Sequence, residues 1–219
     1  GDVYKRQLLE PAFGDGVFLD AAFNRFSALG NDTPTVIGVE LQPAVFSKYA
    51  DSAPTSFAGC CKDFMECSEK IAVSAVVGNP PYVRLRNLKA EDRARAIDRM
   101  AHYKIKMLSS GSLWMPFTIH ASNMLAPNGR MAFVLPFEIT YVKYSYPLWT
   151  YLGNNFGAVK IIRIHEDFFP DVDVETVLLL ADQYGASTHC VDFEIYDRVD
   201  DLLANNISRR NKIKISDIV

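Results

Sequence analysis

A chain of 219 residues with 49% hydrophobic and 22% charged side chains is long enough to bury one large core as a single α/β domain. Its net charge of −3 supplies no global basic field, so contact with nucleic acid must come from a local patch or from outside the chain. Cys60, Cys61, Cys67 and Cys190 make no CxxC pair and the four histidines stand at no metal spacing from them, which excludes a zinc module and a disulfide scaffold and points to a reducing cytosol; no apolar run reaches the roughly 18 residues of a membrane span, and no signal peptide is read.

Gly1 to Gln7 carries no strand or helix pattern, and Asp2 to Gln7 resembles the translation of a transposon-end sequencing adapter, so residues 1–7 are read as a non-native leader. A strand near Leu8 to Glu10 runs into the turn Pro11 to Gly16. Phe18, Leu19, Ala22, Phe23 and Phe26 then recur at helical spacing and predict a helix over Val17 to Leu29. Val36 to Leu41 reads as a strand, Pro43 to Tyr49 as the beginning of a helix, and Thr55 to Ala58 as a third strand. Val73 to Gly78 has the apolar character of a strand in the middle of a parallel sheet. A polar, basic segment from Arg84 to Lys106 follows. A helix over Leu113 to Leu125 is expected to stop at Pro127-Asn128-Gly129, with a strand at Arg130 to Leu135, a helix near Tyr146 to Phe156, and strands at Val159 to Ile164, Val174 to Asp182 and Val191 to Tyr196. This alternation predicts a doubly wound, mostly parallel sheet. The polar stretch Asn205 to Lys214 ends at Val219 without a closing hydrophobic element and reads as the start of a region cut short.

In such sheets ligands bind beyond the carboxyl ends of the strands, so the loops there carry the chemistry. Glu10-Pro11-Ala12-Phe13-Gly14-Asp15-Gly16 lets the backbone pass close to a ligand at the start of a helix, although a structural turn explains Gly-x-Gly equally well. GxGxxG and the Walker lysine are both absent. Glu40 closes the second strand, where a carboxylate can accept both hydroxyls of a ribose or cap the next helix. Asp63-Phe64 offers an acceptor for an adenine amino group beside a ring, and by itself signifies little. Asn79-Pro80-Pro81-Tyr82 is the most informative segment. Two prolines stiffen the loop and leave carbonyls free, an amide precedes them and a ring follows, which suits a planar NH2-bearing substrate; a Pro-Pro turn leaving a buried strand is the alternative. Arg84, Arg86, Lys89, Arg93, Arg95, Lys104 and Lys106 read either as phosphate contacts or as a solvated face balanced by Glu91, Asp92 and Asp98.

Taken in order, these segments resemble the class I S-adenosylmethionine-dependent methyltransferases, and the Asn-Pro-Pro-Tyr end resembles the adenine-specific DNA methyltransferases of the restriction-modification type. Gly129 to Pro136 is similar to the family's strand after the fourth helix. Phe168-Phe169-Pro170-Asp171 with Glu175-Thr176-Val177 is similar to its late region. The resemblance covers about Leu8 to Leu180. It implies a seven-stranded, Rossmann-like sheet with an antiparallel edge strand, a catalytic domain over 8–200 and the start of a C-terminal region over 201–219. It implies S-adenosylmethionine held by Glu10, Pro11, Ala12, Gly14, Gly16, Glu40, Leu41, Asp63, Phe64 and Asn79, catalysis by Asn79, Pro80, Pro81 and Tyr82, and no metal. The target base would stack on Tyr82 and on Phe168 or Phe169.

The implied partner is double-stranded DNA with a flipped adenine, in a bacterial or archaeal cytoplasm, with a nuclease or a specificity region or subunit outside this chain and no membrane. Asn79 and the Pro80 carbonyl would accept the two amino protons, so the nitrogen lone pair could attack the sulfonium methyl directly. The same tetrapeptide serves glutamine methyltransferases acting on proteins, a ribosomal RNA amino-methyltransferase is a further enzyme alternative, and a non-catalytic methyltransferase-like subunit is the non-enzyme reading. Two departures from the family stand out. Ser112, in Gly111-Ser112-Leu113-Trp114, occupies a position often acidic in the family, and the cofactor-binding segment expected before the first strand is not seen.

Overall fold

A computed structural model of the chain describes residues 7–69, 71–108, 110–166 and 174–218. The strands are β1 (Gln7–Glu10), β2 (Thr35–Glu40), β3 (Phe57–Cys61), β4 (Val73–Gly78), β5 (Leu125–Pro136), β6 (Phe156–Ile164), β7 (Thr176–Tyr184), β8 (Cys190–Tyr196) and β9 (Arg209–Lys214). The α-helices are α1 (Val17–Ala28), α2 (Pro43–Ala50), α3 (Ala90–His102), α4 (Trp114–Ser122), α5 (Tyr146–Asn155) and α6 (Val199–Leu203).

The nine strands of the described residues join one sheet in the order β3-β2-β1-β4-β5-β7-β6-β8-β9. β1 lies parallel to β2 and β4, β2 to β3, β4 to β5, and β6 to β8, whereas β7 runs antiparallel to both β5 and β6. The doubly wound, mostly parallel sheet expected from the alternation is therefore present. β8 and β9 extend it from seven strands to nine, β9 supplies an antiparallel edge, and the other antiparallel strand, β7, sits inside the sheet. Residues 209–214, within the stretch read as the start of a separate C-terminal region, pair with β8 from Cys190↔Lys214 to Ile195↔Arg209.

Hydrophobic burial falls into two clusters. Leu9 belongs to the larger one, and Leu8 packs against the smaller one formed by Phe13, Leu19, Val36 and Tyr49. Successive strand residues point to opposite faces, so the two clusters lie on opposite sides of the sheet. α1 and α2 cover the smaller. The larger takes α4, which is buried at every position from Trp114 to Ser122, its polar Thr118, His120 and Ser122 being hydrogen-bonded to Trp114, Tyr103 and Ile119, and α5, anchored by Trp149. Fully burying side chains of this size stabilises the fold by roughly 2–3 kcal/mol each. The turn signal Pro127-Asn128-Gly129, expected to end a helix, instead marks an irregularity within β5: Asn128 has φ 62°, and the pairing to β4 jumps from Val73↔Leu125 to Ala75↔Arg130. Among the described residues no helix is long and apolar enough to cross a membrane.

The strand order reverses between β1 and β4. From β1 the chain steps outward to β3 and then returns to the other side of β1, which opens a crevice where β1 and β4 end. Glu10 and Gly78 are the last residues of those strands.

Candidate active site

The glycine loop is pinned from beneath. Phe13 donates its backbone N–H to the Val39 carbonyl at 3.1 Å, and its ring packs among Phe46, Tyr49 and Phe57 with centroids 5.3–6.0 Å away. Gly16, with φ 84°, caps α1; a Cβ there would lie 2.2 Å from the Tyr49 ring, so glycine is the residue that fits. Glu40 is buried, with 7% of its surface exposed, and acts as a two-sided strut. One oxygen accepts the Gly14 N–H at 3.0 Å and the other the Gln42 N–H at 2.8 Å, joining the loop to the start of α2. Both oxygens keep lone pairs for further donors. Leu41, next in the chain, exposes its apolar side chain at the same edge.

Glu10 is 1% exposed, and its Oε2 has no hydrogen-bond partner. Burial pushes its carboxyl up from the ordinary 4.5 to about 9; the Leu19 backbone opposes this, and the charges of Asp20 and Glu40 add to it. A buried carboxyl with an orphan oxygen at the strand-order reversal is a place for a ligand that brings a cation. Gly78 closes the crevice from the β4 side, and a Cβ on it would meet Pro11 at 3.4 Å and Glu10 at 3.7 Å.

Asp63 and Phe64 differ from expectation. Asp63 caps the 3-10 turn Phe64–Glu66 by accepting the Met65 N–H at 2.9 Å, and its other oxygen takes the Arg95 Nε at 3.0 Å. Arg95 also pairs with Glu66 and Asp92. Phe64 is 3% exposed and packs on Phe117 and His120 at 4.7 and 4.8 Å. Its ring is therefore part of the core and offers no face to a purine. The chain turns inward directly after β3, which carries the ring under α4.

The segment after β4 places Asn79 exposed, Pro80 buried, and Pro81 and Tyr82 half-buried. The Tyr82 hydroxyl donates to the Val134 carbonyl at 3.1 Å, and its desolvated phenol is pushed above its ordinary pKa. Val83 to Leu85 zips against Gly111 to Leu113: Leu113 N–H and Ser112 Oγ both donate to the Val83 carbonyl, at 2.8 and 3.0 Å, and Leu85 N–H donates to Gly111 at 2.9 Å. Ser112 is thus committed to the loop.

Sequence reasoning missed Glu138, Tyr144 and Trp114, which gather around Arg84. The available signal was an acid two residues beyond the end of β5, at the same sheet edge as Glu10 and Glu40. Of the basic segment, Arg84 and Arg95 are held by acids, whereas Arg86, Lys89, Arg93, Lys104 and Lys106 have no acidic partner among the described residues. Phe168 and Phe169 lie outside the described residues.

Comparison with known proteins finds relatives of this chain in sequence and in fold. The family model of the Eco57I restriction-modification methylase matches residues 41–169. The Type II methyltransferase M.BstVI of Geobacillus stearothermophilus is 26% identical over 195 residues, which is 73% of this chain and 34% of that protein. M.AccI of Acinetobacter calcoaceticus is 24% identical over 225 residues, covering 100% of this chain and 38% of that protein. The chain thus spans about a third of the length of the curated relatives it matches. In fold it is similar to the type I restriction-modification system methyltransferase subunit from Streptococcus thermophilus, with a TM-score of 0.74 at 15% identity over 99% of this chain and 52% of that one.

Proposed function

The chain belongs to the Eco57I restriction-modification methylase family, and on that premise we propose that it transfers a methyl group from S-adenosylmethionine to the exocyclic 6-amino group of adenine in DNA. The observation that carries the reading is the exposed Asn79 of Asn-Pro-Pro-Tyr standing at the end of β4, in the crevice it shares with the orphan carboxyl of Glu10. The residues present fit the cofactor. Glu10 can take the ammonium of its methionine part, the backbone at Gly14 and Gly16 allows close approach, Glu40 has lone pairs left for ribose hydroxyls, and Leu41 offers an apolar surface to the adenine ring.

When bound, the cofactor supplies an electrophilic sulfonium methyl. The amino nitrogen of adenine is a poor nucleophile because its lone pair is delocalised into the ring. Asn79 Oδ1 and the Pro80 carbonyl accept hydrogen bonds from the two amino protons, draw the nitrogen toward tetrahedral geometry and stabilise the positive charge that grows on it as the carbon–sulfur bond gives way, and one of those protons then passes to solvent to leave the neutral methylamine. A stacked duplex hides that nitrogen, so the base must leave the helix, and the Tyr82 ring, fixed through its hydroxyl to Val134, is the platform it meets. Expression of the complete gene in a methylation-free host, followed by sequencing that detects modified bases, is expected to show N6-methyladenine in one sequence context. Methyl groups found only on cytosine, RNA or protein would overturn the reading.

The DNA backbone is proposed to run past Arg86, Lys89 and Arg93, where the start of α3 follows the transfer loop and, although Glu91 and Asp92 adjoin them, none of the three makes an ion pair among the described residues. A nuclease or a specificity region or subunit outside this chain would complete the system. Replacing Arg86 and Lys89 by Ala is expected to lower the slope of log K against log salt by about 2 while leaving the sequence context unchanged. A binding titration across salt concentrations checks it, and an unaltered slope would remove these residues from the interface.

A further inference from the structure

The transfer loop lacks the usual means of holding itself in place. Pro80 and Pro81 have no N–H, so neither can tie the loop to a neighbouring carbonyl, and its aim must be set at its two ends. The entry is fixed by β4, where Gly78 pairs with Phe133. The exit is where the structure concentrates its contacts. Beyond the bonds from Tyr82 to Val134 and from Ser112 and Leu113 to Val83, a closed ring of side chains surrounds Arg84. Arg84 donates one amino group to Glu138 Oε2 at 2.7 Å and the other to the Tyr144 hydroxyl at 2.7 Å. Tyr144 in turn donates to Glu138 Oε1 at 2.5 Å, and the same oxygen accepts the Trp114 indole N–H at 3.1 Å. The guanidinium carbon lies 5.3 Å from the centre of the Tyr144 ring.

Four separate segments meet in this ring: the loop exit, the start of α4, the turn after β5 and the turn before α5. One carboxylate joins three of them by accepting from all three donors. We propose that Glu138 is a positioning residue for methyl transfer, locking the exit of the Asn79–Tyr82 loop through Arg84 so that the two acceptors of the amino group stay aimed. This rests on reading Asn79–Tyr82 as the transfer loop. Arg84 and Glu138 keep 38% and 18% of their side-chain surface exposed, so solvent screens the pair and its effect on stability is small. Its effect on geometry is larger, because a misplacement of about 1 Å at a reacting centre costs about 100-fold in rate. The fork of Arg84 matters for the same reason: a lysine has one point charge and cannot reach Glu138 and Tyr144 along two fixed directions.

The test compares Glu138→Gln, Arg84→Lys and Asn79→Ala in the intact protein, measuring single-turnover methyl transfer to DNA together with the dissociation constants for S-adenosylmethionine and for DNA. Glu138→Gln and Arg84→Lys are each expected to slow transfer by about 10- to 100-fold with both dissociation constants within about twofold of the parent. A parental transfer rate, or a loss of cofactor affinity as large as the loss of rate, overturns the proposal. If Glu138→Gln does not fold, Arg84→Lys carries the test under the same criteria. Asn79→Ala separates the two levels: if it transfers normally, the reading of the loop itself fails, whereas loss in Asn79→Ala with full rate in Glu138→Gln and Arg84→Lys defeats only the positioning role.

Discussion

Asn79→Ala is expected to lower the rate of methyl transfer by about two to three orders of magnitude while S-adenosylmethionine binds as before. The amide oxygen is one of only two acceptors proposed for the amino protons, and the other, the Pro80 carbonyl, cannot hold both. With one acceptor gone the lone pair stays conjugated with the ring, and the charge that forms on nitrogen loses its partner as it grows. Such an interaction is made mainly in the transition state, so its loss appears in the rate and little in ground-state binding. Asn79 is exposed at the end of β4, and its removal leaves no cavity in the core. Calorimetric titration of the cofactor and incorporation of labelled methyl into DNA together check the result. Undiminished incorporation would remove Asn79 from the chemistry.

Glu10→Gln should change the pH dependence of the whole protein. The folded-state carboxyl titrates at about 9 because burial opposes its charge, whereas an unfolded glutamate titrates at its ordinary 4.5. Between those values the folded chain holds a proton that the unfolded chain has released. The contribution is therefore fully present below about pH 4.5 and is lost as pH rises through about 9, at up to about 1.4 kcal/mol per pH unit. Gln, neutral throughout, should flatten this decline, so its melting temperature should exceed that of the parent at pH 8–9 and match it near pH 5. On the proposed reading the cofactor's ammonium ends the isolation of Glu10 and draws its proton off. Calorimetry at pH 7 in two buffers of different ionisation enthalpy should then show close to one proton released on binding to the parent chain, none with Gln, and about tenfold weaker affinity with Gln. Equal proton release in both proteins would separate Glu10 from the cofactor.

The sheet is legible in the sequence where strands are buried on both faces. Val73–Gly78 and Val36 to Leu41, the latter observed as Thr35–Glu40, announce themselves as short apolar runs because parallel strands in the middle of a doubly wound sheet meet a core on each side. β9 does not, because Arg209-Arg210-Asn211-Lys212 is an edge strand whose polar surface discourages pairing with other chains. The site divides the same way. Glu10, the glycine loop, Glu40 and Asn79 each stand at or directly after a strand end, so a linear motif suffices to propose them as candidates. Phe64 misleads because a dipeptide cannot report which way its ring turns. The ring around Arg84 is invisible because its bonds join residues 54 and 60 positions apart, and nothing in the local pattern at Glu138 or Tyr144 reveals the partner.

The internal position of β7 also dictates how the molecule can be assembled during synthesis. β5 and β6 are both made before β7, yet they do not touch each other, since β7 separates them and pairs with both. Until residues 176–184 leave the ribosome, two long strands with apolar faces present open edges, and the carboxyl half of the sheet cannot close in chain order. The pairing of β5 with β7 joins distant parts of the chain, so loop closure sets the pace and the emerging chain has a window in which its edges can pair with those of another copy. Chains that end between Ile164 and Thr176 retain all of the glycine loop and Asn-Pro-Pro-Tyr but leave that gap unfilled, and aggregation is the outcome their unpaired edges favour.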